Sequence, residues 1–307
     1  MHNLSSFLDK KINLWYDDTQ LGSDYLNKFI LYIKSNRIIA LLAFALIVLI
    51  AWVAWSNLSI EVNGYTVESS LLPQAFDGFR IAHISDLHNA QFGKNNSALI
   101  KRLRESKPDI IAITGDSVDS RHTNFEITLN FIEQAMDIAP CYFVVGNHES
   151  RFEEEEYQSF ENRLIDFGVI VLHNETVNIE VDGEKITVCG VDDPMFDENF
   201  SKNLKNCAVE NEFTILLSHR PESFAEYVEN GYNLVLSGHG HGGQVRIPFF
   251  DGLYVPGQGI FPEFDAGIYT DGNTNMIVSR GIGNSVIPIR INNSPEVIII
   301  DLKSDNT

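Results

Sequence analysis

Cysteine is scarce in this chain, with three residues among 307, namely Cys141, Cys189 and Cys207. No two of them form a C-x-x-C pair, which argues against a zinc ribbon and a thioredoxin-type redox motif. Three cysteines are also too few for a disulfide-dense scaffold, and a chain of this length is long enough for a full hydrophobic core. The odd number leaves the redox compartment open.

Basic residues are few as well: 22 Lys and Arg stand against 42 Asp and Glu, a formal net charge of −20. A polyanion of this size repels nucleic acid, so we expect no nucleic-acid polymer as a partner. The sequence has neither an internal repeat nor a low-complexity tract. With 44% hydrophobic and 21% charged residues, it has the composition of a folded chain, either two average domains or one large α/β domain.

One long apolar run is present. Residues 38–55 read IIALLAFALIVLIAWVAW, without charge, Gly or Pro. As a helix this run is about 27 Å long, close to the hydrocarbon thickness of a bilayer, and Trp52 and Trp55 fall at one interface. A buried core helix is rarely apolar on all sides, and a cleaved signal peptide does not start this deep in a chain. The run therefore predicts one transmembrane helix.

Flanking charge predicts the orientation of this span. Lys28, Lys34 and Arg37 lie just before it, whereas the first basic residue after it is Arg80. The positive-inside rule places the N-terminus in the cytoplasm and the rest of the chain outside the cell membrane. We therefore divide the chain into a cytoplasmic segment (1–37), a transmembrane anchor (38–55), a linker (56–71) and a single downstream domain (72–303).

The downstream domain alternates short apolar runs with amphipathic stretches, which predicts an α/β fold. The predicted buried strands are 79–84, 109–114, 141–145, 213–217 and 233–236. The predicted helices are 95–105, 125–136 and 154–167. A hairpin is predicted over 177–181 and 185–190 around Asp182-Gly183, followed by strands at 276–279 and 296–302. This order favours one α/β sandwich over two domains.

Residue types that commonly ligate metal ions follow five of these strands, and five of the nine histidines lie there. The carboxyl ends of strands in open α/β sheets are where ligands bind, so we expect the five loops to converge. In chain order the motifs are Ser85-Asp86-Leu87-His88, Gly115-Asp116-Ser117-Val118-Asp119, Gly146-Asn147-His148-Glu149, Ser218-His219-Arg220-Pro221 and Gly238-His239-Gly240-His241.

Taken in order, these motifs resemble those of the calcineurin-like metallophosphoesterases: D-x-H, G-D-x-x-D, G-N-H-E, an isolated His and G-H-x-H. The closing Ser279-Arg280-Gly281 and Ile287-Pro288 look like the membrane-anchored bacterial YkuE/YaeI-like branch of that family. The resemblance implies a four-layer α/β/β/α sandwich of two mixed β-sheets flanked by helices and preceded by one transmembrane helix. It also implies a hydrolase that acts on phosphoric ester bonds.

The resemblance further implies a site for two divalent metal ions, since imidazole, carboxylate and amide oxygen suit Mn, Fe, Zn or similar ions. Its ligands are Asp86, His88 and His241 at one ion, Asn147, His219 and His239 at the other, and Asp116 between them. Asp86 and His88 are two residues apart, so we expect an extended backbone that points both to the same side, and likewise for His239 and His241.

The reaction so implied is attack of a metal-bound hydroxide on the phosphorus of a phosphodiester or pyrophosphate. His148 is then the general acid, or a charge-stabilising donor, near the leaving oxygen, and Asp119 orients it. A helix N-cap is the alternative for Asp119. For Arg220, a surface position and a phosphate contact are equally open.

The substrate stays open at this point. A membrane anchor suits a lipid-linked phosphoester or pyrophosphate, such as a UDP-sugar of the UDP-2,3-diacylglucosamine type, and the fold suits a small soluble phosphodiester equally. Five aromatic residues after position 244 are either β core or an apolar lip that accepts a lipid tail: Phe249, Phe250, Tyr254, Phe261 and Phe264. The rivals are a non-catalytic metal-binding module and a membrane-surface scaffold, and the complete ligand set argues against the first.

Overall fold

The computed structural model describes residues 23–33, 35–284 and 288–305. Residues 1–22 and 34 of the predicted cytoplasmic segment lie outside the described residues, as does Ile287 of the C-terminal motif. The chain divides after Ala54 into two compact units. In the first unit residues 23–33 are helical, and helix α1 (Arg37–Leu58) begins.

Helix α1 covers the whole apolar run. Its most apolar 18 residues have a mean hydropathy of 2.9, and none of that stretch is buried, contrary to what a core helix would show. Within the described ranges it is the one helix long and apolar enough to cross a membrane. The chain thus carries one candidate membrane helix near its N-terminus.

The second unit contains five further helices and sixteen strands among the described residues. The helices are α2 (Ser97–Ser106), α3 (Phe125–Met136), α4 (Glu154–Asp166), α5 (Phe200–Cys207) and α6 (Phe224–Glu229). The strands are β1 (Glu61–Ser69), β2 (Arg80–Ile84), β3 (Ile110–Thr114), β4 (Cys141–Val144), β5 (Ile170–Val171), β6 (Glu175–Val181), β7 (Glu184–Gly190), β8 (Thr214–Leu217), β9 (Leu234–Ser237), β10 (Arg246–Ile247), β11 (Asp251–Gly252), β12 (Tyr254–Val255), β13 (Gly259–Ile260), β14 (Gly267–Asp271), β15 (Thr274–Val278) and β16 (Glu296–Ser304).

Two six-stranded mixed sheets form the framework. The first has the order β1-β16-β2-β3-β4-β5, in which only β16 and β2 are antiparallel. The second has the order β14-β15-β9-β8-β7-β6, in which both edge pairs are antiparallel and the inner pairs parallel. The inner strands β3, β4, β8 and β9 are buried along their whole length, as expected for parallel strands covered on both faces.

The layers follow from which side chains pack together. Residues from both sheets, such as Ile110 and Ile298 of the first and Ile215 and Leu236 of the second, share one buried cluster, so the sheets pack face to face. A second cluster joins the other face of the first sheet to α2, α3 and α4, and a third joins the second sheet to α5 and α6. This is the predicted four-layer α/β/β/α sandwich.

The region expected to be a linker differs from the prediction. Residues 56–71 contain β1, which pairs in parallel with β16 over nine residues, from Glu61 opposite Glu296 to Ser69 opposite Ser304. Alternate residues of β1 are exposed, and this polar pattern hid the strand in the sequence. The domain expected at 72–303 therefore begins with β1, and its last strand extends to Ser304.

Candidate active site

The structure brings all nine predicted site residues to one edge of the two sheets, where β2, β3, β4, β8 and β9 end. Neighbouring loops are tied by backbone bonds: the Asp86 N–H donates to the Gly115 carbonyl at 3.1 Å, and the His88 N–H to the Asp116 carbonyl at 3.0 Å. All nine residues are buried: Asp86, His88, Asp116, Asp119, Asn147, His148, His219, His239 and His241.

The backbone at these positions is not extended, which corrects the expectation for the two-residue spacings. Asp86 has φ 53° and His88 φ 45°, and His239 and His241 have φ 66° and 46°. A left-handed conformation is uncommon for residues other than glycine and is found where function holds the backbone in place. The paired side chains converge through tight left-handed turns instead of through strand alternation.

The first cluster joins Asp86, His88 and His241, whose ligand atoms all lie within 4.8 Å of one another. The Nε2 atoms of the two histidines are 3.2 Å apart, and His241 Nε2 is 3.2 Å from Asp86 Oδ1. Burial lowers the pKa of His241 to about 3, so this ring is neutral near pH 7 and keeps a lone pair for a metal ion.

The second cluster consists of Asp116, His219 and His239, whose ligand atoms also lie within 4.8 Å of one another. Asp116 Oδ2 lies 3.3 Å from His219 Nε2 and 3.5 Å from His88 Nε2, so this carboxylate faces both clusters. Burial alone raises the pKa of Asp116, but the neighbouring His219 lowers it well below its usual range. Burial alone lowers the pKa of His219, but Asp116 raises it to about 10, so a proton lies on this ring unless another cation replaces it.

The donor set fits divalent metal ions. Asp86 Oδ1, Asn147 Oδ1 and His219 Nε2 are buried and have no hydrogen-bond partner among the described residues. Unpartnered buried polar atoms are rare in native proteins and indicate an atom reserved for another ligand. Oxygen and imidazole donors are those that Mn, Fe and Zn accept. The site thus has clustered metal ligands.

His148 lies between the first cluster and the cavity. Its Nδ1 accepts the backbone N–H of Ser120 at 3.1 Å and lies 3.4 Å from Asp119 Oδ1. Burial lowers the pKa of His148 to about 4, and a neutral ring that accepts at Nδ1 carries its proton on Nε2. Ser120 was not found from the sequence, because a backbone donor leaves no residue-type signal.

Asp119 sits in a turn and not at a helix start. Helix α3 begins at Phe125, six residues later, so the N-cap alternative is wrong. Its Oδ1 accepts the backbone N–H of Arg121 at 2.9 Å. Burial raises the pKa of Asp119, but the hydrogen bonds from Arg121 and the charge of Arg121 lower it by more. The pKa therefore lies below its usual value, and the carboxylate is ionised near pH 7.

A cavity of about 530 Å³ opens over the clusters, and its wall includes Asp116, Asn147 and His148. Three guanidinium side chains line it in a chain of net charge −20: Arg121, Arg151 and Arg220. The side chain of Arg220 is 13% exposed, pairs with Asp193 at 2.5 Å and 3.0 Å, and donates to His239 Nε2 at 3.0 Å. Arg220 is therefore a buried wall residue, and the cavity is suited to an anion.

Glu149 is a residue whose role the sequence did not reveal. Its carboxylate is fully buried and accepts backbone N–H groups from Asp116 at 2.8 Å, Ser117 at 2.8 Å, Val118 at 3.2 Å and Gly146 at 2.9 Å. Burial, followed by the charge of Asp116, raises its pKa to about 7. Glu149 joins the loop after β4 to the loop after β3.

The comparisons with known proteins agree with this geometry. The sequence profile of the calcineurin-like phosphoesterase family matches residues 79–243. The metallophosphoesterase YkuE of Bacillus subtilis (strain 168) is 31% identical over 254 residues, which cover 80% of this chain and 87% of YkuE. The phosphodiesterase YaeI of Escherichia coli (strain K12) is 27% identical over 241 residues, covering 73% of this chain and 82% of YaeI.

A third relative, a transmembrane protein with a metallophosphoesterase domain from Danio rerio, is 27% identical over 256 residues. The alignment covers 76% of this chain and 55% of that protein. A buried cluster of side chains able to ligate metal ions at the carboxyl ends of a double-sheet sandwich, together with these matches, defines the class as a metallophosphoesterase. The chain belongs to the calcineurin-like phosphoesterase family and to its YkuE/YaeI-like branch.

Proposed function

We propose that this protein is a membrane-anchored phosphoesterase with two divalent metal ions, which hydrolyses a phosphodiester or a pyrophosphate. The observation that carries the proposal is the position of Asp116, whose Oδ2 faces His219 of one cluster and His88 of the other. A site for paired ions needs one ligand that reaches both of them, and a carboxylate placed between two clusters meets that need.

In this proposal Asp86, His88 and His241 would hold one ion, and Asn147, His219 and His239 would hold the other, with Asp116 between them; the two histidine-containing clusters support this division. When bound, such ions activate water and neutralise charge on the phosphoryl oxygens. The donors are nitrogen and oxygen only, which suits Mn, Fe, Zn or similar ions.

His148 and the arginines act on the substrate itself. The neutral ring of His148 carries its proton on Nε2, on the side of the ring toward the site, and this N–H donates a hydrogen bond to the leaving oxygen as negative charge develops there. Asp119, whose Oδ1 lies 3.4 Å from Nδ1, orients the ring. The arginines of the cavity wall bind the non-bridging phosphate oxygens.

The test is hydrolysis by the purified full-length chain after chelation and stepwise return of Mn, Fe, Zn, Co, Ni and Mg. The substrates are an aryl phosphodiester, an aryl phosphomonoester and a lipid-linked pyrophosphate, so the preferred member identifies the ester type. We expect Asp116→Asn to reduce turnover by about 100-fold, as loss of a metal-site carboxylate does, and to reduce the bound metal measured by elemental analysis. Asp137→Asn, at an exposed position, is the matched control. Full turnover by Asp116→Asn would refute the two-ion proposal.

The anchor in this proposal is α1, and the charges around it support a cytoplasmic N-terminus with the catalytic domain outside. The lipid-linked pyrophosphate is the second candidate substrate, favoured by the apolar helix. A tag at the C-terminus would be digested by protease added to intact spheroplasts. Protection of that tag would reverse the proposed orientation.

A further inference from the structure

Residues 247–262, here called the apolar rim, expose large apolar side chains to solvent. Phe249 is fully exposed, and Ile260, Phe250 and Phe261 are 69%, 65% and 55% exposed. This contradicts the β-core interpretation for the first aromatics after residue 244, and only Phe264 packs inward, against Phe224 and Tyr269. Contiguous exposed apolar side chains of this kind mark interaction surfaces.

The rim is a built structure that displays these side chains. The pairs β10–β11 and β12–β13 fold it into two short antiparallel ribbons, and the rings of Phe250 and Phe261 lie 6.0 Å apart. Phe249 and Phe261 have φ 74° and 55°, a strained backbone for bulky residues. Such strain persists only where the surrounding structure holds the backbone in place.

The rim is also nearly free of charge in a strongly acidic chain. Its single charged residue is Asp251, whose carboxylate pairs with Arg246 at 3.0 Å. Arg246 also pairs with Asp265 at 2.9 Å, just beyond the rim. The rim therefore presents an apolar surface with one charged residue, which is paired with an arginine that it shares with Asp265.

Two contacts place the rim next to the site and next to the end of the apolar helix. Tyr254, Pro256 and Gly257 of the rim form the cavity wall together with His239 and His241. On its other side, the chain that precedes the rim bonds to a strand-like segment: the Arg246 N–H donates to the Ile291 carbonyl at 3.0 Å, and Val245 bridges Ile291.

The segment that contains Ile291 also contacts the last turn of α1. The residues of α1 from Trp55 onward belong to the second unit. Asn57 Nδ2 donates to the Arg290 carbonyl at 2.8 Å, and the Arg290 N–H donates back to Asn57 Oδ1 at 2.8 Å. Neighbouring extended segments lie about 5 Å apart, so within the second unit a single segment separates Asn57 from the start of the rim.

We propose that the apolar rim inserts into the interface of the lipid bilayer that α1 crosses, and that the cavity thereby opens onto the membrane surface to receive a phosphoester carried by a lipid. The rim side chains contact the acyl boundary, and the arginines above the clusters meet the anionic head. This inference rests on the proposed function for the choice of substrate and for α1 as the anchor, and on the exposed side chains of the rim for bilayer contact.

The test of bilayer contact is spin labelling of the full chain in phosphatidylethanolamine–phosphatidylglycerol vesicles. The native cysteines are buried, so single labels at Phe250→Cys and Ile260→Cys report on the rim. Ile165→Cys, 52% exposed on α4, is the matched control. We expect the ratio of collisions with molecular oxygen to collisions with a water-soluble nickel chelate to be several-fold higher at 250 and 260 than at 165. Equal ratios overturn the proposal, and dipolar coupling between labels of two chains would assign the rim to a second copy instead.

The test of substrate access is the double variant Phe250→Ser and Phe261→Ser in the same vesicles. Neither residue lines the cavity, so hydrolysis of a soluble aryl phosphodiester stays unchanged, while hydrolysis of a bilayer-embedded phosphodiester falls about tenfold. If the double variant loses activity toward neither substrate, or loses it equally toward both, the rim has no role in access. If the wild-type chain hydrolyses only the soluble ester, the proposal of a lipid substrate is wrong. If it hydrolyses neither ester, the proposed function is refuted, and the labelling result is unaffected.

Discussion

At the residue scale, the three arginines of the cavity wall differ in whether a carboxylate of the protein pairs with them. Arg121 pairs with Asp119 and Arg220 with Asp193. Among the described residues no carboxylate lies within ion-pair distance of Arg151, which stands exposed beside His148. A guanidinium without an acidic partner at the mouth of an anion-binding cavity is placed to contact the substrate first.

We expect Arg151→Ala to raise KM for a phosphodiester about tenfold with little change in kcat, because a charge-assisted hydrogen bond to the bound anion is lost. Steady-state kinetics over a range of substrate concentrations separates the two constants. Arg102→Ala, on the exposed surface of α2, is the matched control. An unchanged KM for Arg151→Ala would show that this side chain does not contact the substrate.

At the element scale, the loops after β3 and β4 depend on Glu149, which supplies the acceptors for four backbone N–H groups. Gly146 belongs to the same contact, because a Cβ there would lie 2.3 Å from Asp116 Oδ1. The ligand loops are thus held against each other by side-chain and backbone contacts that do not depend on metal.

Glu149→Gln keeps the shape of the side chain but turns an N–H₂ group toward two of these donors. We expect the free energy of unfolding to fall by about 2 kcal/mol, since buried donors lose their acceptors. Denaturant unfolding measures this change, with Glu105→Gln at an exposed position of α2 as the control. Equal stability of the two variants would mean that Glu149 does not hold the loops together.

The elements also show what the sequence could and could not predict. The central strands were predicted because their apolar runs reflect burial on both faces. The convergence of the five loops was predicted because they follow parallel strands, whereas the metal-ligand roles came only from the family resemblance. Strand β1 was missed because its partner β16 is more than 200 residues away and its own pattern is half exposed. The left-handed turns at Asp86 and His239 were missed because backbone angles leave no mark on a non-glycine residue.

At the scale of the whole molecule, His173 ties the two sheets together. It follows β5 of the first sheet, and its Nδ1 lies 2.7 Å from Oδ1 of Asp192, which follows β7 of the second sheet. Its Nε2 lies 2.8 Å from Glu161 of α4. Burial lowers the pKa of His173, but the bonds and charges of Asp192 and Glu161 raise it to about 9.

Because this pKa is raised in the folded state, the stability it contributes is fully present below about pH 6.5 and is lost as pH rises through 9. We expect His173→Gln to be less stable than the wild type by about 2 kcal/mol at pH 6, a value reduced for the partly exposed ring, and the difference to vanish near pH 10. Denaturant unfolding at several pH values tests this, with the exposed His122→Gln as the control. A difference that does not change with pH would contradict the assignment.

The position of β16 has a consequence for biosynthesis. This strand lies between β1 and β2, yet it is made more than 200 residues after both. At typical translation rates the interval from β2 to β16 lasts about 10–40 s, during which the first sheet lacks its inner strand. The apolar helix is made long before that, so it leaves the ribosome while the first sheet is still incomplete.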